Sequence, residues 1–241
     1  MSTDSRATLK IDNVEVRLGV FHLSGISFEV APGEVVGYLG HNGAGKSTTF
    51  RVISELVRPV AGTVRLGDLD HRKDEREFKR KVSFIGDNQH VYSGMRVAEV
   101  LDFASHFYPG WDHAWCAQMC DDLRLPLRAK TSHLSTGMRT KLGLVLGFSP
   151  RPEFVVMDEP TSGLDVASSE WIWEVIDAQV KAGRLGALVS SHSRDEVIEQ
   201  CSRVIVLEDG HIREEIDLRG DRGRARVLVE SAMGRGNVHA D

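Results

Sequence analysis

Five short, almost wholly apolar runs, three alternating ones near the N-terminus and one long stretch of helical patterning point to the α/β class. The expected fold has a mostly parallel sheet, an N-terminal antiparallel β section and an inserted α-helical subdomain. "TLKIDNVEV", "GISFEV" and "GTVRL" alternate apolar and polar residues, as strands buried on one face do, and "APGE" supplies turn chemistry before the core begins. "VVGYL", "VSFI", "FVVM", "ALVS" and "VIVL" show no alternation, which is expected where helices cover both faces of a parallel sheet. Between "VSFI" and "FVVM", helical patterning runs over roughly Val97 to Phe107, Asp112 to Leu123 and Ser135 to Phe148. This is the insert, approximately residues 88–150 of a single domain spanning 1–216. The run "DLDHRKDEREFKRK" mixes both charges densely and reads as a solvated loop and helix face. After Ile216 the chain turns rich in Gly and Arg around one apolar island, "VLV", so residues 217–241 are expected to form a flexible tail.

Composition narrows the function classes. With 241 residues, 41% hydrophobic and 27% charged, the chain can bury one substantial core, and wholesale disorder is excluded. A net charge of −5 gives no basic field, so no nucleic acid is expected as a partner. Three cysteines without paired spacing suit a reducing compartment. Cys116 and Cys120 fall four apart on a helix, but no further ligand joins them at metal spacing, and free thiols are expected there and at Cys201. No stretch approaches the roughly eighteen apolar residues of a membrane span, and the N-terminus lacks a signal-peptide apolar region. Any membrane role would run through a partner.

The chemistry begins at "VVGYLGHNGAGKSTTF", a glycine-rich loop between a buried strand and a helix. That order is the context a phosphate-binding P-loop requires. Gly40, Gly43 and Gly45, with His41, Asn42 and Ala44 between them, let backbone N–H groups close around phosphate oxygens. Lys46 would reach the terminal phosphates, the Ser47 hydroxyl would ligate Mg²⁺, and Thr48 follows at the helix N-terminus. In "FVVMDEPTSGLD", Asp158 closes a buried strand, where its carboxylate can join the metal. Glu159 comes next and is placed to polarise an attacking water. His192 ends "ALVSSH" and would emerge at the same edge as a γ-phosphate contact.

These motifs together resemble the ATPase subunits of ABC transporters over about residues 8–215. "GHNGAGKS" looks like Walker A, "LSTGM" like the signature motif, "FVVMDE" like Walker B, "SGLD" like the D-loop and "SSH" like the H-loop. The resemblance implies two ATPase subunits, identical or homologous, arranged head to tail with each ATP between Walker A of one and the signature of the other. Leu134, Ser135, Thr136, Gly137, Met138 and Asp165 would then lie at the dimer interface, with Ser135 and Gly137 on the partner's γ-phosphate. Ser135 is also in position to cap the helix that follows. The family's usual signature is LSGGQ, so Thr136 and Met138 depart from it. The glutamine of the Q-loop falls at either Asp87 or Gln89. The aromatic that usually stacks on adenine is replaced at its aligned position by Leu18, leaving Phe21 as the substitute. The insert looks like that of ATPases serving ABC-2 type exporters, and Tyr92, Phe103, Phe107, Tyr108 and Trp111 are candidates either for a groove receiving a separate integral-membrane permease or for helical core packing. The implied cofactors are ATP and Mg²⁺, and the implied location is cytoplasmic, at the inner face of the membrane through the permease.

Two other readings use the same loop. Soluble ABC ATPases of DNA or translation processes usually carry two motif sets or a long coiled coil between Walker A and Walker B, and this chain has neither. A GTPase switch would need an Asn-Lys-x-Asp motif, and no Asn-Lys pair occurs.

Overall fold

The computed structural model describes residues 7–86 and 94–234. Strands β1 (Leu9–Leu18) and β2 (Phe21–Val30) form an antiparallel hairpin. β3 (Val35–Gly40) leads into α1 (Lys46–Ile53), and β4 (Ala61–Leu66) and the short β5 (Leu69–Asp70) complete a four-stranded antiparallel sheet of order β2-β1-β4-β5. α2 (Glu75–Lys81) exposes its charges and buries only Phe78, then β6 (Val82–Ile85) returns to the second sheet. The insert holds α3 (Val97–Ser105), α4 (His113–Asp122), a 3-10 turn at Thr131–His133 and α5 (Thr136–Phe148). β7 (Phe154–Asp158), α6 (Val166–Lys181), β8 (Gly186–Ser190), α7 (Arg194–Gln200), β9 (Arg203–Glu208), β10 (His211–Asp217) and α8 (Arg222–Gly234) follow. The larger sheet has the order β10-β9-β3-β8-β7-β6, parallel throughout except for the edge strand β10.

The parallel strands separate two cores, which is why their sequences read as unbroken apolar runs. Val35 and Leu39 of β3, Val155 and Met157 of β7, and Val204 and Val206 of β9 face the helices α4 to α8. Val36, Tyr38, Val156, Ile205 and Leu207 face the antiparallel sheet and α1. Each such side chain removed from water contributes about 1.5–3 kcal/mol, so a polar residue on either face is costly. Gly37 is required by closeness: a Cβ there would lie 2.3 Å from Val197 of α7.

The C-terminal stretch differs from the expected flexible tail. α8 docks on the helical face of the sheet, burying Ala225, Val229 and Ala232 with Leu218 just ahead of it. These positions recur at helical spacing, while the arginines that suggested a solvated tail occupy the other face. Asp221 accepts from the backbone N–H of Gly223 and Arg224 at 2.9 and 3.2 Å and starts the helix.

Candidate nucleotide site

Parallel register brings the chemistry to one sheet edge. β3, β8 and β7 are neighbours, and Tyr38 and Asp158 both pair with Ser190, so the strands end together. Ligands of open α/β sheets gather at such carboxyl ends. A cavity of about 510 Å³ opens there, lined by Leu18 and Phe21 from the β1–β2 hairpin, Asn42, Gly43, Gly45, Lys46, Ser47 and Thr48 from the loop and α1, and Asp158, Glu159 and His192.

Within the loop, roles divide more finely than the sequence implied. Gly45 adopts φ 113°, and a Cβ there would come within 2.9 Å of Phe21, so glycine is needed on both counts. Gly43, at φ 86°, has nothing within 4 Å of where its Cβ would stand and leaves the cavity floor open. Gly40, His41 and Ala44 do not line the cavity. Gly40 sits against the Leu207 carbonyl, Ala44 is fully buried, and His41 reaches Asp209 at 3.1 Å. The Lys46 ammonium donates to the carbonyls of Gly40 (2.7 Å) and His41 (3.3 Å), spanning the loop. Burial pulls its pKa below the usual lysine value, against the opposing charges of Glu159 and Asp158.

Asp158 is buried, and its Oδ1 accepts from the Ser190 hydroxyl at 2.6 Å. The same Ser190 receives the Glu159 backbone N–H, at 3.1 Å on the hydroxyl and 3.3 Å on the carbonyl. Glu159 has φ 57°, a left-handed conformation uncommon for a residue with a side chain and one that concentrates at functional sites. Its side chain is 13% exposed, and Oε1 lies 3.1 Å from Nε2 of the well-exposed His192. Burial holds the Glu159 pKa above the usual glutamate value; His192 and Lys46 oppose this, and Asp158 adds to it. The outcome is a carboxylate of raised basicity at the cavity wall.

The signature residues are built with equal definition but elsewhere. Ser135 caps α5, accepting from the Met138 N–H at 3.3 Å, and the helix dipole adds positive potential at that exposed end. Leu134 is buried beneath it, and Met138 is exposed. A Cβ on Gly137 would lie 2.7 Å from the Gly163 carbonyl, so the signature packs directly on the loop that follows Glu159. Asp165 in that loop caps α6 through Ser168 (3.0 and 2.9 Å) and lies 3.6 Å from Lys141 of α5. Residues 134–138 contribute nothing to the lining of the Lys46 cavity.

A family model described as "ABC transporter" matches residues 23–162, more than half of the chain. The chain belongs to the ABC transporter family. The Nod factor export ATP-binding protein I of Paraburkholderia xenovorans is 34% identical over 85% of this chain and 69% of that protein. The daunorubicin/doxorubicin resistance ATP-binding protein DrrA of Streptomyces peucetius is 32% identical over 94% of this chain and 68% of its own length. Among solved structures, an ATP-binding subunit of an ABC transporter superposes with TM-score 0.82 at 25% identity, covering 92% of this chain and 98% of that one. The ATP-binding cassette MJ0796, solved as a dimer in a post-hydrolysis state with ADP and Pi, matches in fold at TM-score 0.75 and 23% identity, over 88% of this chain and 99% of that one.

Two contributors to this ABC ATPase site were not foreseen from sequence. Ser190 holds both Walker B acids, and the β9–β10 turn braces the P-loop through Asp209 and through the Gly210 N–H, which donates to the Ala44 carbonyl at 3.0 Å. The pair "SS" before His192 and the turn dipeptide Asp-Gly were visible, but only the parallel register says which loop each one meets. Asp87, Gln89 and Tyr92 lie outside the described residues.

Proposed function

We propose that this ABC ATPase subunit hydrolyses ATP at a site completed by a second ATPase subunit, and that closure of the pair drives a separate integral-membrane permease. The observation that carries the reading is the separation just described. Lys46, Ser47, Asp158, Glu159 and His192 share one cavity, while a complete, capped and exposed signature stands outside it. In this arrangement Gly43 and Gly45 let the backbone approach the triphosphate, Lys46 neutralises its terminal oxygens, and the hairpin residues Phe21 and Leu18 cover the base. Glu159 takes a proton from the attacking water as the water's oxygen bonds to the γ-phosphorus, the bond to the β–γ bridging oxygen breaks, and ADP and phosphate leave. His192 sits beside both the base and the γ-phosphate. The Ser47 hydroxyl and the Asp158 carboxylate are hard oxygen donors in the same cavity and fit Mg²⁺, whose remaining positions water and phosphate would fill. When bound, the ion neutralises charge on the phosphates. Ser135, the backbone at Gly137, and Asp165 serve the partner's ATP.

The permease would dock in a groove of about 350 Å³ between the core and the insert, lined by Leu56, Phe84, Tyr108 and Leu146 among others. Phe103 and Phe107 are exposed on the insert and pack edge to face at 5.1 Å, whereas Trp111 is core. No helix among the described residues is long and apolar enough to cross a membrane. On this reading the permease holds the subunit at the cytoplasmic face. The relative named for Nod factor export supports an ABC-2 type export system.

The test is Glu159→Gln. It should retain ATP binding by equilibrium titration, lower steady-state turnover by about 10²- to 10⁴-fold, and accumulate an ATP-bound dimer in size-exclusion chromatography. Turnover close to that of the unmodified protein would remove Glu159 from the role of base.

A further inference from the structure

Glu196 on α7 is tied to the site by hydrogen bonds without lining its cavity. Its carboxylate collects three donors from three different segments. Ser191, adjacent to His192, donates to Oε2 at 2.6 Å, and Thr161, two residues beyond Glu159, donates to the same oxygen at 3.1 Å. The indole N–H of Trp173 on α6 donates to Oε1 at 2.7 Å. Ser193, which starts α7, accepts from the backbone N–H of Glu196 at 3.2 Å and so fixes where the carboxylate sits. Trp173 and Ser191 are buried. Bonds of this kind to an ionised acceptor are roughly twice as strong as neutral ones.

We infer that Glu196 is a positioning residue for hydrolysis, holding the His192 loop and the loop after Glu159 in one fixed relation. The geometry favours this over simple packing. The two loops it joins carry the 3.1 Å Glu159–His192 pair at one end, and at the other end the Gly163 carbonyl on which signature Gly137 rests. A shift of Thr161 relative to Ser191 would therefore alter both the base beside its own ATP and the face offered to the partner. A carboxylate meets all three donors as they stand, and any replacement must still offer an acceptor to Trp173, because the indole N–H cannot turn round to accept.

This inference rests on the proposed roles of Glu159 and His192, so the variants are compared with Glu159→Gln in the same full-length protein. Glu196→Ala should lower kcat by about 10- to 100-fold, as a displaced catalytic group does, with the KM for ATP little changed, since no P-loop residue is touched. Glu196→Gln should recover most of kcat. Its carbonyl can accept from Trp173, and its amide can donate to the Ser191 and Thr161 hydroxyls, which are free to rotate. Thr161→Val and Ser191→Ala should each be non-additive with Glu196→Ala in a double-mutant cycle. A kcat for Glu196→Ala equal to that of the unmodified protein overturns the inference. So does a loss of kcat, ATP binding and thermal midpoint together that Glu196→Gln fails to repair, since that is the signature of packing alone. If Glu159→Gln is inactive while Glu196→Ala is normal, the base assignment stands and this inference alone falls.

Discussion

The P-loop edge and the signature end of α5 are equally ordered, yet they are finished in opposite ways. At the P-loop edge, polar groups are turned inward on one another. Lys46 spans loop carbonyls, Ser190 holds Asp158 and Glu159, and His192 stands beside Glu159. At the signature, Ser135 satisfies its own helix and the surrounding residues present an exposed, positively polarised helix end. Preorganised dipoles aimed at developing charge are the form electrostatic catalysis takes. On the proposed reading the first region is a reaction centre short of one wall, and the second is that wall, carried by the same chain for another molecule.

The strongest way to break this comparison is to damage one region and leave the other whole. Ser135→Arg should lower turnover by about 10²- to 10³-fold, the loss expected when a transition-state donor is removed, while ATP binding to the monomer is unchanged. In a dimer of identical chains the contrast can be sharpened by mixing. A Ser135→Arg chain keeps its P-loop, and a Lys46→Ala chain keeps its signature, so the mixed dimer contains one complete site. Measurable ATPase on mixing two inactive variants would establish donation in trans. Silence on mixing, with dimers present by light scattering, would mean that the signature does not serve the partner's phosphate.

A smaller effect is expected where the two regions touch within one chain. Gly137→Ala should improve helix propensity at the start of α5, by about 1 kcal/mol or less. It also drives a Cβ toward the Gly163 carbonyl, which is backbone and cannot swing away. Overpacking costs about 1–3 kcal/mol, so the thermal midpoint should fall and the loop to Asp165 should shift. A midpoint that rises would show that this contact yields freely.

How far the sequence could be read follows from the same physics. The two-faced burial of β3, β7 and β9 left unbroken apolar runs, so the parallel core was legible. The P-loop needs glycine, lysine and serine at set spacings, so it was legible as well. Contacts made by tertiary register were not. Nothing local says that Ser190 meets Asp158, that Glu196 reaches Thr161, or that His41 turns away from the cavity toward Asp209. The tail was misread for a different reason. Composition weighs every residue equally, and the arginines outnumbered the stripe Ala225, Val229 and Ala232, although the stripe decides whether a helix docks.

The smallest effect concerns protons at the reaction centre. Burial raises the Glu159 pKa, so the acid limb of kcat should lie above the usual glutamate range, with activity rising as the carboxylate ionises. The linkage to stability has the opposite sign. A carboxyl whose folded pKa exceeds its unfolded one contributes stability at pH below the unfolded value, and that contribution is lost as pH rises through the folded value. Ionised Glu159 therefore costs stability at neutral pH, and Glu159→Gln cannot ionise. The variant should melt higher than the unmodified protein at pH 7–8. The difference should close near pH 4. Calorimetry across that range decides it, because a gain that persists in acid would trace to packing rather than to the charge.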